Sequence, residues 1–212
     1  MPSCLTARTQ TPTWLQLFKI MELDHPKLVG SLRKAYSVEK AASFAYIGHA
    51  GSLRDNKEKE AVQQIEQDEW DEWEHRRNVL QIMQQYGIPV STYYELKYHI
   101  IGRIIGYACY VIGRFMPCFF AGKLESGNVC EYFVMIQHFH SLGITGHDEV
   151  LYEMGIKEKE HEIHFLGTTQ DEKWLPLFER IFCWGTNASL NDVDLENQYP
   201  VEKSDPYCKS HK

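Results

Sequence analysis

The chain has 212 residues, of which 43% are hydrophobic and 24% are charged, as is typical of a folded globular protein. This length suits a single domain with a sizeable core. The formal net charge of −7 argues against general binding to nucleic acid, because such binding requires a basic surface.

The two ends of the chain lack the pattern of packed helices. The start of the chain, "MPSCLTARTQTPT", is polar and contains prolines, which predicts a flexible N-terminal tail, assigned to residues 1–23. Residues 185–212 have no apolar period, which predicts a disordered C-terminal tail. We therefore expect one domain over residues 24–184.

Within that domain the pattern predicts helices and no strand. A helix is predicted from Pro26 to the break at Gly51, and a long second helix from the turn "RDN" to about residue 86. Further helices are predicted at about 117–140 and 149–167, followed by a short amphipathic one in "KWLPLFERIFCW". The most apolar stretch, residues 100–122, predicts an extra hydrophobic helix.

Two Glu-x-x-His motifs, Glu72/His75 and Glu158/His161, fall on predicted helices. Side chains three positions apart share one face of a helix, so each motif can offer both groups to one ion. A third match at residues 22–25 directly precedes a proline, where helix is disfavoured. The alternative for "EWDEWEHRRN", which holds the first motif, is an acidic surface helix.

A glutamate precedes each motif at the same distance, since Glu39 lies 33 residues before Glu72 and Glu125 lies 33 residues before Glu158. The midpoints of these intervals, 55.5 and 141.5, fall in "RDN" and "SLG", both of which are predicted turns. In an antiparallel helical hairpin, two residues that are equally distant from the turn lie at the same level along the helix axes. Each hairpin therefore places one glutamate opposite one Glu-x-x-His motif.

Two such hairpins together bring four carboxylates and two imidazoles to a common level. The predicted ligands are Glu39, Glu72, His75, Glu125, Glu158 and His161. This set is typical of the di-iron or di-manganese site of ferritin-like bundles. We therefore predict an all-α, ferritin-like four-helix bundle with an extra hydrophobic interfacial helix and a short C-terminal helix. The predicted cofactor is two iron ions, with manganese as the alternative metal.

Other side chains near the predicted ligands have two interpretations each. Tyr46 and Tyr132 lie two helical turns after a ligand glutamate and could donate a hydrogen bond or shuttle an electron, or simply pack in the core. His49 could contact a ligand residue or the substrate, or it could be an ordinary helical histidine whose hydrogen bonds are satisfied. Asp71 could orient a ligand histidine, or be an exposed acid.

Two residues compete with the predicted ligands. Glu131 is an alternative to Glu125, but it would break the 33-residue equivalence. His164 could be a spare ligand, and we expect it to face helix packing instead. The six cysteines form no thiolate cluster, which excludes a rubredoxin-type iron site, and they follow no signal peptide, so we expect reduced thiols. No glycine-rich nucleotide fingerprint is present, so the electron donor stays unknown.

Residues 30–167 resemble the demethoxyubiquinone hydroxylases, membrane-bound di-iron monooxygenases of ubiquinone biosynthesis. That family usually has Tyr-Ala-Gly-Gln seven residues after its first ligand glutamate, where this chain has Tyr46-Ile47-Gly48-His49. The run "GRFMPCFFAGKLE", which ends at Glu125, is similar to the Gly/Ala-rich stretch before the family's third ligand, and Tyr132 follows in the expected place. The stretch "LESGNVCEYF" departs from the family's "VEESIAHHY", because the histidines after the third ligand are absent.

The resemblance implies hydroxylation of a quinone-like lipid by O₂ at a membrane surface. The expected reduced thiols indicate a cytoplasmic location. The resemblance implies a peripheral location on the inner face of a membrane, which is the mitochondrial inner membrane if the source is eukaryotic. Independently, Arg103 and Arg114 within the apolar stretch favour an interfacial helix over a spanning one. The alternative is a buried hairpin helix, with Gly102 and Gly106 allowing close packing.

Three other functions stay open at the level of sequence. The same ligands would suit a ferritin-like ferroxidase or iron-storage subunit, or a peroxide-reducing di-iron protein. A non-enzymatic protein with a structural or empty metal site is the third. The oligomeric state is open as well, a homo-oligomer included.

Overall fold

The computed structural model describes residues 23–53 and 59–185, which form six helices and, within those ranges, no strand. The helices are α1 (Pro26–Leu53), α2 (Lys59–Gln85), α3 (Thr92–Ala108), α4 (Phe115–Ser141), α5 (Asp148–Thr169) and α6 (Leu175–Phe182). The prediction of an all-α fold is confirmed. The predicted turn "RDN" and the predicted tails, apart from residues 23 and 185, lie outside the described residues.

Four of these helices form a bundle built from two hairpins. α1 packs along α2, α4 packs along α5, and the hairpins meet where α1 contacts α4 and α2 contacts α5. The side chains that fill this bundle on one side of its middle are large and apolar: Leu28, Leu32, Val79, Met83, Met135, Ile136, Phe139 and Leu151. The prediction of a helical bundle is confirmed as well.

α3 lies on the outer side of α1 and contacts it backbone to backbone. A Cβ atom on Gly48 of α1 would lie 2.3 Å from Cα and O of Gly106, and a Cβ on Gly102 would lie 2.7 Å from the backbone of Ala41. Such contact is open only to residues without a side chain. The close packing expected from Gly102 and Gly106 is therefore present.

The predicted apolar helix over residues 100–122 is wrong in its extent. α3 ends at Ala108, a non-helical connection follows over residues 109–114, and α4 begins at Phe115. Gly113 in this connection has a φ of +75°, a left-handed conformation that interrupts the helix. Composition alone did not indicate this break, because both sides of it are equally apolar.

A polar cluster fixes the N-terminal part of α3. The Glu95 carboxylate accepts two hydrogen bonds of 3.0 Å from Arg76, one of 2.8 Å from Ser37 and one of 3.1 Å from Lys40. Burial alone would raise the pKa of Glu95, but these hydrogen bonds hold it at about 2. The cluster therefore ties α3 to both α1 and α2.

The other side of α3 is apolar and faces outward. Only Gly102 and Gly106 of this helix are buried. The outward side chains recur every three or four residues and are between 48% and 67% exposed: Tyr93, Leu96, Ile100, Ile104 and Tyr107. We call this set the α3 apolar face. Among the described helices, none has the length and apolar character needed to cross a membrane.

The C-terminal part of the described chain covers the start of α4. α6 is the predicted short amphipathic helix, and its Phe178 and Phe182 pack against Phe119. Trp184 is fully buried, contacts Gly122 and donates a 2.8 Å hydrogen bond from Nε1 to Oε1 of Glu162. This cap closes the bundle on the side of α4 and α5.

The prediction of reduced thiols is only partly right. Cys109 and Cys118 are free and buried, and Cys183 is free and exposed. Cys130 is disulfide-bonded, so the prediction is wrong for this residue. Sequence spacing could not indicate this, because cysteines that are distant in sequence can meet in the fold.

The contact of α1 with α3 can be tested with a matched pair of glycine variants. We expect Gly48→Ala to lower the free energy of unfolding by about 1–3 kcal/mol, because its new methyl group would collide with the backbone of Gly106. Gly30→Ala, also in α1, meets nothing within 4 Å and should be neutral or stabilising by up to about 1 kcal/mol. Urea denaturation of both variants measures the difference, and equal effects would contradict the backbone contact.

Candidate metal centre

All six predicted ligand residues lie together in the interior of the bundle. None is more than 4% exposed: Glu39, Glu72, His75, Glu125, Glu158 and His161. α1 and α4 each contribute one glutamate, while α2 and α5 each contribute one Glu-x-x-His motif. An acidic surface is excluded for these four glutamates by their burial.

The six side chains form two overlapping groups, in each of which the potential ligand atoms lie within 4.8 Å of one another. Position A comprises Glu39, His75, Glu72 and Glu158. Position B comprises Glu125, His161, Glu72 and Glu158. The two groups share two glutamates, so these residues would hold a pair of cations, with Glu72 and Glu158 common to both positions and one further glutamate and one histidine for each.

Several atoms of this cluster are buried without a hydrogen-bond partner. They include both carboxylate oxygens of Glu72 and of Glu158, Oε2 of Glu39, and Nδ1 of both histidines. Nδ1 of His75 lies 2.9 Å from Oε1 of Glu158, and Nδ1 of His161 lies 3.3 Å from Oε1 of Glu72. Unsatisfied buried polar atoms are costly, and cations between these atoms would satisfy them. The donor set therefore fits two divalent ions such as iron or manganese.

The electrostatics of the cluster favour the same conclusion. Burial, reinforced by the neighbouring carboxylates, raises the pKa of Glu72 and Glu125 well above the usual range. Burial, followed by the charge of Glu39, raises the pKa of Glu158 to about 8. Burial lowers the pKa of His75, which keeps its imidazole in the neutral form that binds metals. Positive charge placed among these groups would relieve the repulsion.

Two tyrosines form hydrogen bonds across the hairpins with Glu39 and Glu125, the glutamates that belong to one position only and that we call the terminal glutamates. The Tyr46 hydroxyl on α1 donates to Oε1 of Glu125 on α4, and the Tyr132 hydroxyl on α4 donates to Oε1 of Glu39 on α1. Burial and the adjacent carboxylates raise the pKa of both phenols well above 10, so both stay protonated donors. The spacing in sequence predicted that each tyrosine lies near the glutamate of its own helix. It did not predict that each tyrosine donates its hydrogen bond to the glutamate of the other hairpin.

Asp71 lies beside a ligand histidine, and a second aspartate lies with it. Oδ2 of Asp71 is 3.2 Å from Nε2 of His161, and Oδ1 of the fully buried Asp68 is 3.7 Å from the same nitrogen. Burial alone would lower the pKa of His161, but its contact with Asp71 raises it. Sequence analysis missed Asp68, although Asp68, Asp71, Glu72 and His75 follow the i, i+3, i+4, i+7 pattern of one helix face.

His49 is buried near the cluster but belongs to neither group. Its Nε2 lies 3.5 Å from Sγ of Cys118, and its ring stacks on Phe165, which in turn stacks on Tyr46. Burial, with a smaller contribution from the Arg114 charge, lowers the pKa of His49 to about 4. His49 is thus a neutral group one ring removed from Tyr46.

The competing residues lie elsewhere. Glu131 is half exposed and pairs with Lys34 on α1, outside both groups. His164 is half buried and packs edge-on against Phe165, as expected for a histidine in helix packing. Sequence analysis also missed Asn128, whose Nδ2 donates a 2.8 Å hydrogen bond to Oε2 of Glu125. Its position one turn after Glu125 was the available signal.

No protein-family model, curated protein or solved structure matches this chain. The similarity to the demethoxyubiquinone hydroxylases therefore rests on the motifs alone.

The repulsion within the cluster predicts how the metal-free protein responds to pH. Because the folded-state pKa of Glu158, about 8, exceeds its ordinary value of 4.5, stability of the metal-free chain should fall as pH rises between those values. Glu158→Gln should lessen that fall and be more stable than wild type at pH 8 without metal, yet gain less from added Mn²⁺. Thermal unfolding at about pH 6 and 8, with EDTA or Mn²⁺, measures both effects.

The matched control is Glu160→Gln, an exposed position on the same helix that pairs with Lys157. It should change neither the pH dependence nor the response to Mn²⁺. A Glu158→Gln protein that is less stable than wild type at pH 8 in EDTA would contradict the repulsion argument.

Proposed function

We propose that the protein is a di-iron monooxygenase that hydroxylates a lipid-soluble aromatic substrate with O₂, in particular a demethoxyubiquinone-type quinone. The proposal rests on positions A and B, two buried four-ligand groups that share Glu72 and Glu158. Ferritin-like di-iron carboxylate proteins use the same ligand set from the same four helices. Two iron ions bound there would supply the redox chemistry and the activation of O₂.

The protein's own side chains would hold and orient such a pair. Glu72 and Glu158 are shared, while Glu39 and Glu125 each serve one position and accept a hydrogen bond from a tyrosine of the other hairpin. The phenol protons stay on oxygen because the pKa of each tyrosine is raised. Asp71 keeps Nε2–H of His161 directed outward, which leaves Nδ1 for the metal.

Buried aromatic and aliphatic side chains limit the access of water to the site. Phe165 and Ile65 lie on the side of Tyr46, and Val79 and Val129 lie on the side of Tyr132. A dry environment strengthens the interaction of the carboxylates with cations and restricts side reactions with water. These features support a reaction in an apolar pocket rather than at an open surface.

The α3 apolar face supports a lipid-soluble substrate. Its exposed apolar side chains alternate with the exposed basic residues Lys97 and Arg103, a pattern that suits a membrane interface with anionic headgroups. α3 packs directly on α1, which carries Glu39 and Tyr46. We therefore propose a peripheral location on a membrane, the inner mitochondrial one if the source is eukaryotic. The electrons would come from a separate donor.

The metal content of a matched glutamate pair tests the proposed site. We expect wild-type protein reconstituted anaerobically with Fe²⁺ to hold about two ions per chain, and Glu125→Ala to hold fewer. Glu131→Ala removes an equivalent side chain from the same helix outside both groups and should keep the wild-type content. Metal analysis after desalting gives the ratio. A well-folded wild-type protein without bound iron would contradict the proposal.

Product analysis separates the reaction from its alternatives. The reduced di-iron protein should consume O₂ in the presence of a short-chain demethoxyubiquinone and yield the hydroxylated quinone, as identified by mass spectrometry. Iron oxidation without a hydroxylated product would favour iron handling. Faster oxidation by H₂O₂ than by O₂ would favour a peroxide-reducing protein.

Vesicle binding tests the membrane surface. We expect Ile104→Asp, in the middle of the α3 apolar face, to weaken binding to anionic phospholipid vesicles by at least about tenfold, because an apolar contact is replaced by a like charge. Trp70→Asp changes a 70% exposed apolar residue on α2 and should leave binding unchanged. Co-sedimentation measures both variants, and equal losses would contradict a membrane contact through α3.

A further inference from the structure

The two hairpins are related by a constant offset in sequence. Each ligand of the first hairpin has its counterpart 86 residues later: Glu39 and Glu125, Glu72 and Glu158, His75 and His161. The two tyrosines obey the same offset, and each hydrogen-bonds the other hairpin's glutamate. Positions A and B are therefore equivalent in their ligands, and any difference between them comes from the residues around the ligands.

The surroundings of the two histidines differ. At position B, Nε2 of His161, which we call its outer nitrogen, lies 3.2 Å from Oδ2 of Asp71 and 3.7 Å from Oδ1 of Asp68. By the 86-residue offset, the counterparts of these aspartates are Lys157 and Met154, neither of which can accept a hydrogen bond from an imidazolium or imidazole N–H as a carboxylate does. Within residues 23–53 and 59–185, no carboxylate hydrogen-bonds the outer nitrogen of His75.

The surroundings of the two terminal glutamates differ as well, and again the residue of position B has more hydrogen bonds. Oε1 of each accepts a tyrosine hydroxyl, but Oε2 of Glu125 also accepts the 2.8 Å hydrogen bond from Asn128. Oε2 of Glu39 is buried without a partner. The counterpart of Asn128 is Ala42, which has no polar side chain. Among the residues that the structure describes, both terminal ligands of position B are thus oriented by outside hydrogen bonds, whereas at position A such a bond is made by Tyr132 to Glu39.

We propose that the two metal positions are unequal, and that the first divalent cation binds at position B and the second, more weakly, at position A. A carboxylate on the outer nitrogen of a ligand histidine fixes its orientation and raises its basicity, which is worth about 10- to 100-fold in metal affinity. Ligands that are already oriented also lose less freedom on binding. The charge of the first ion opposes the second, because both share Glu72 and Glu158. This inference rests on the proposed metal centre.

Stepwise titration of the full chain tests the order. The chain, freed of metal by chelation, would be titrated anaerobically with Fe²⁺ and separately with Mn²⁺. Bound ions would be counted at each step, and electron paramagnetic resonance would distinguish isolated from paired Mn²⁺. We expect wild type to bind its first ion at least about tenfold more tightly than its second. Isolated Mn²⁺ should therefore accumulate at substoichiometric metal.

Variants around the two positions assign the steps. Asp71→Asn and Asn128→Ala should weaken the first step, at most down to the affinity of an empty position A, and should leave the second step nearly unchanged, so that the two steps move closer together. Tyr132→Phe, which removes the outer contact of position A, should weaken only the second step. His75→Ala should retain one tightly bound ion, whereas His161→Ala should retain at most one weakly bound ion. Far-UV circular dichroism checks that each variant keeps its helices.

Two results would overturn the order. Equal affinities in wild type, with paired Mn²⁺ appearing from the first addition, would overturn it and leave the metal centre intact. Retention of the tight ion by His161→Ala rather than by His75→Ala would reverse the assignment. Absence of any bound ion in folded wild-type protein would instead overturn the proposed function together with this inference.

Discussion

Four carboxylates at one level in the interior of a helical bundle are the constraint on which the rest of this structure depends. Burial raises the pKa of all four, and the charges of neighbouring carboxylates raise it further, so keeping these groups charged in the metal-free chain is costly. The bundle meets this cost locally, through Tyr46, Tyr132 and Asn128, which donate hydrogen bonds to the two terminal glutamates. Within the part of the chain that the structure describes, both carboxylate oxygens of Glu72 and of Glu158 are buried without a hydrogen-bond partner, so a cation would stabilise these two groups most.

The helices outside the bundle leave this interior undisturbed. α3 approaches α1 through glycine contacts and through the hydrogen bonds of Glu95, so its large side chains are not needed for packing and face outward. α6 and Trp184 instead place aromatic side chains against the start of α4. The bundle is thus closed at α6 and presents an apolar surface at α3, next to the helix that carries Glu39. A lipid-soluble substrate would need such a surface close to the site.

The sequence predicted the bundle and the position of the six proposed ligands because both follow from regular geometry. Helix periodicity places Glu72 and His75 on one face, and the equal 33-residue spacings set the height of Glu39 and Glu125. The break at residues 109–114 was missed because hydrophobicity does not change there. The crossed tyrosines were missed because spacing within one hairpin contains no information on how two hairpins pack. The hydrogen bond from Asn128 to Glu125 is different, because it lies within α4 and its spacing of one helical turn could have indicated it.

The two hairpins repeat each other at an offset of 86 residues, and the residues that break this repeat are the ones that distinguish position A from position B. Glutamate, histidine and tyrosine are each repeated at the 86-residue offset, so they do not distinguish position A from position B. Asp71 opposite Lys157 and Asn128 opposite Ala42 make the distinction, since both restrain ligands of position B only. In the proposed dinuclear centre, restraint at His161 and Glu125 would help to retain the metal of position B. The carboxylate of Glu39, whose Oε2 has no hydrogen-bond partner in the described chain, would be freer to move.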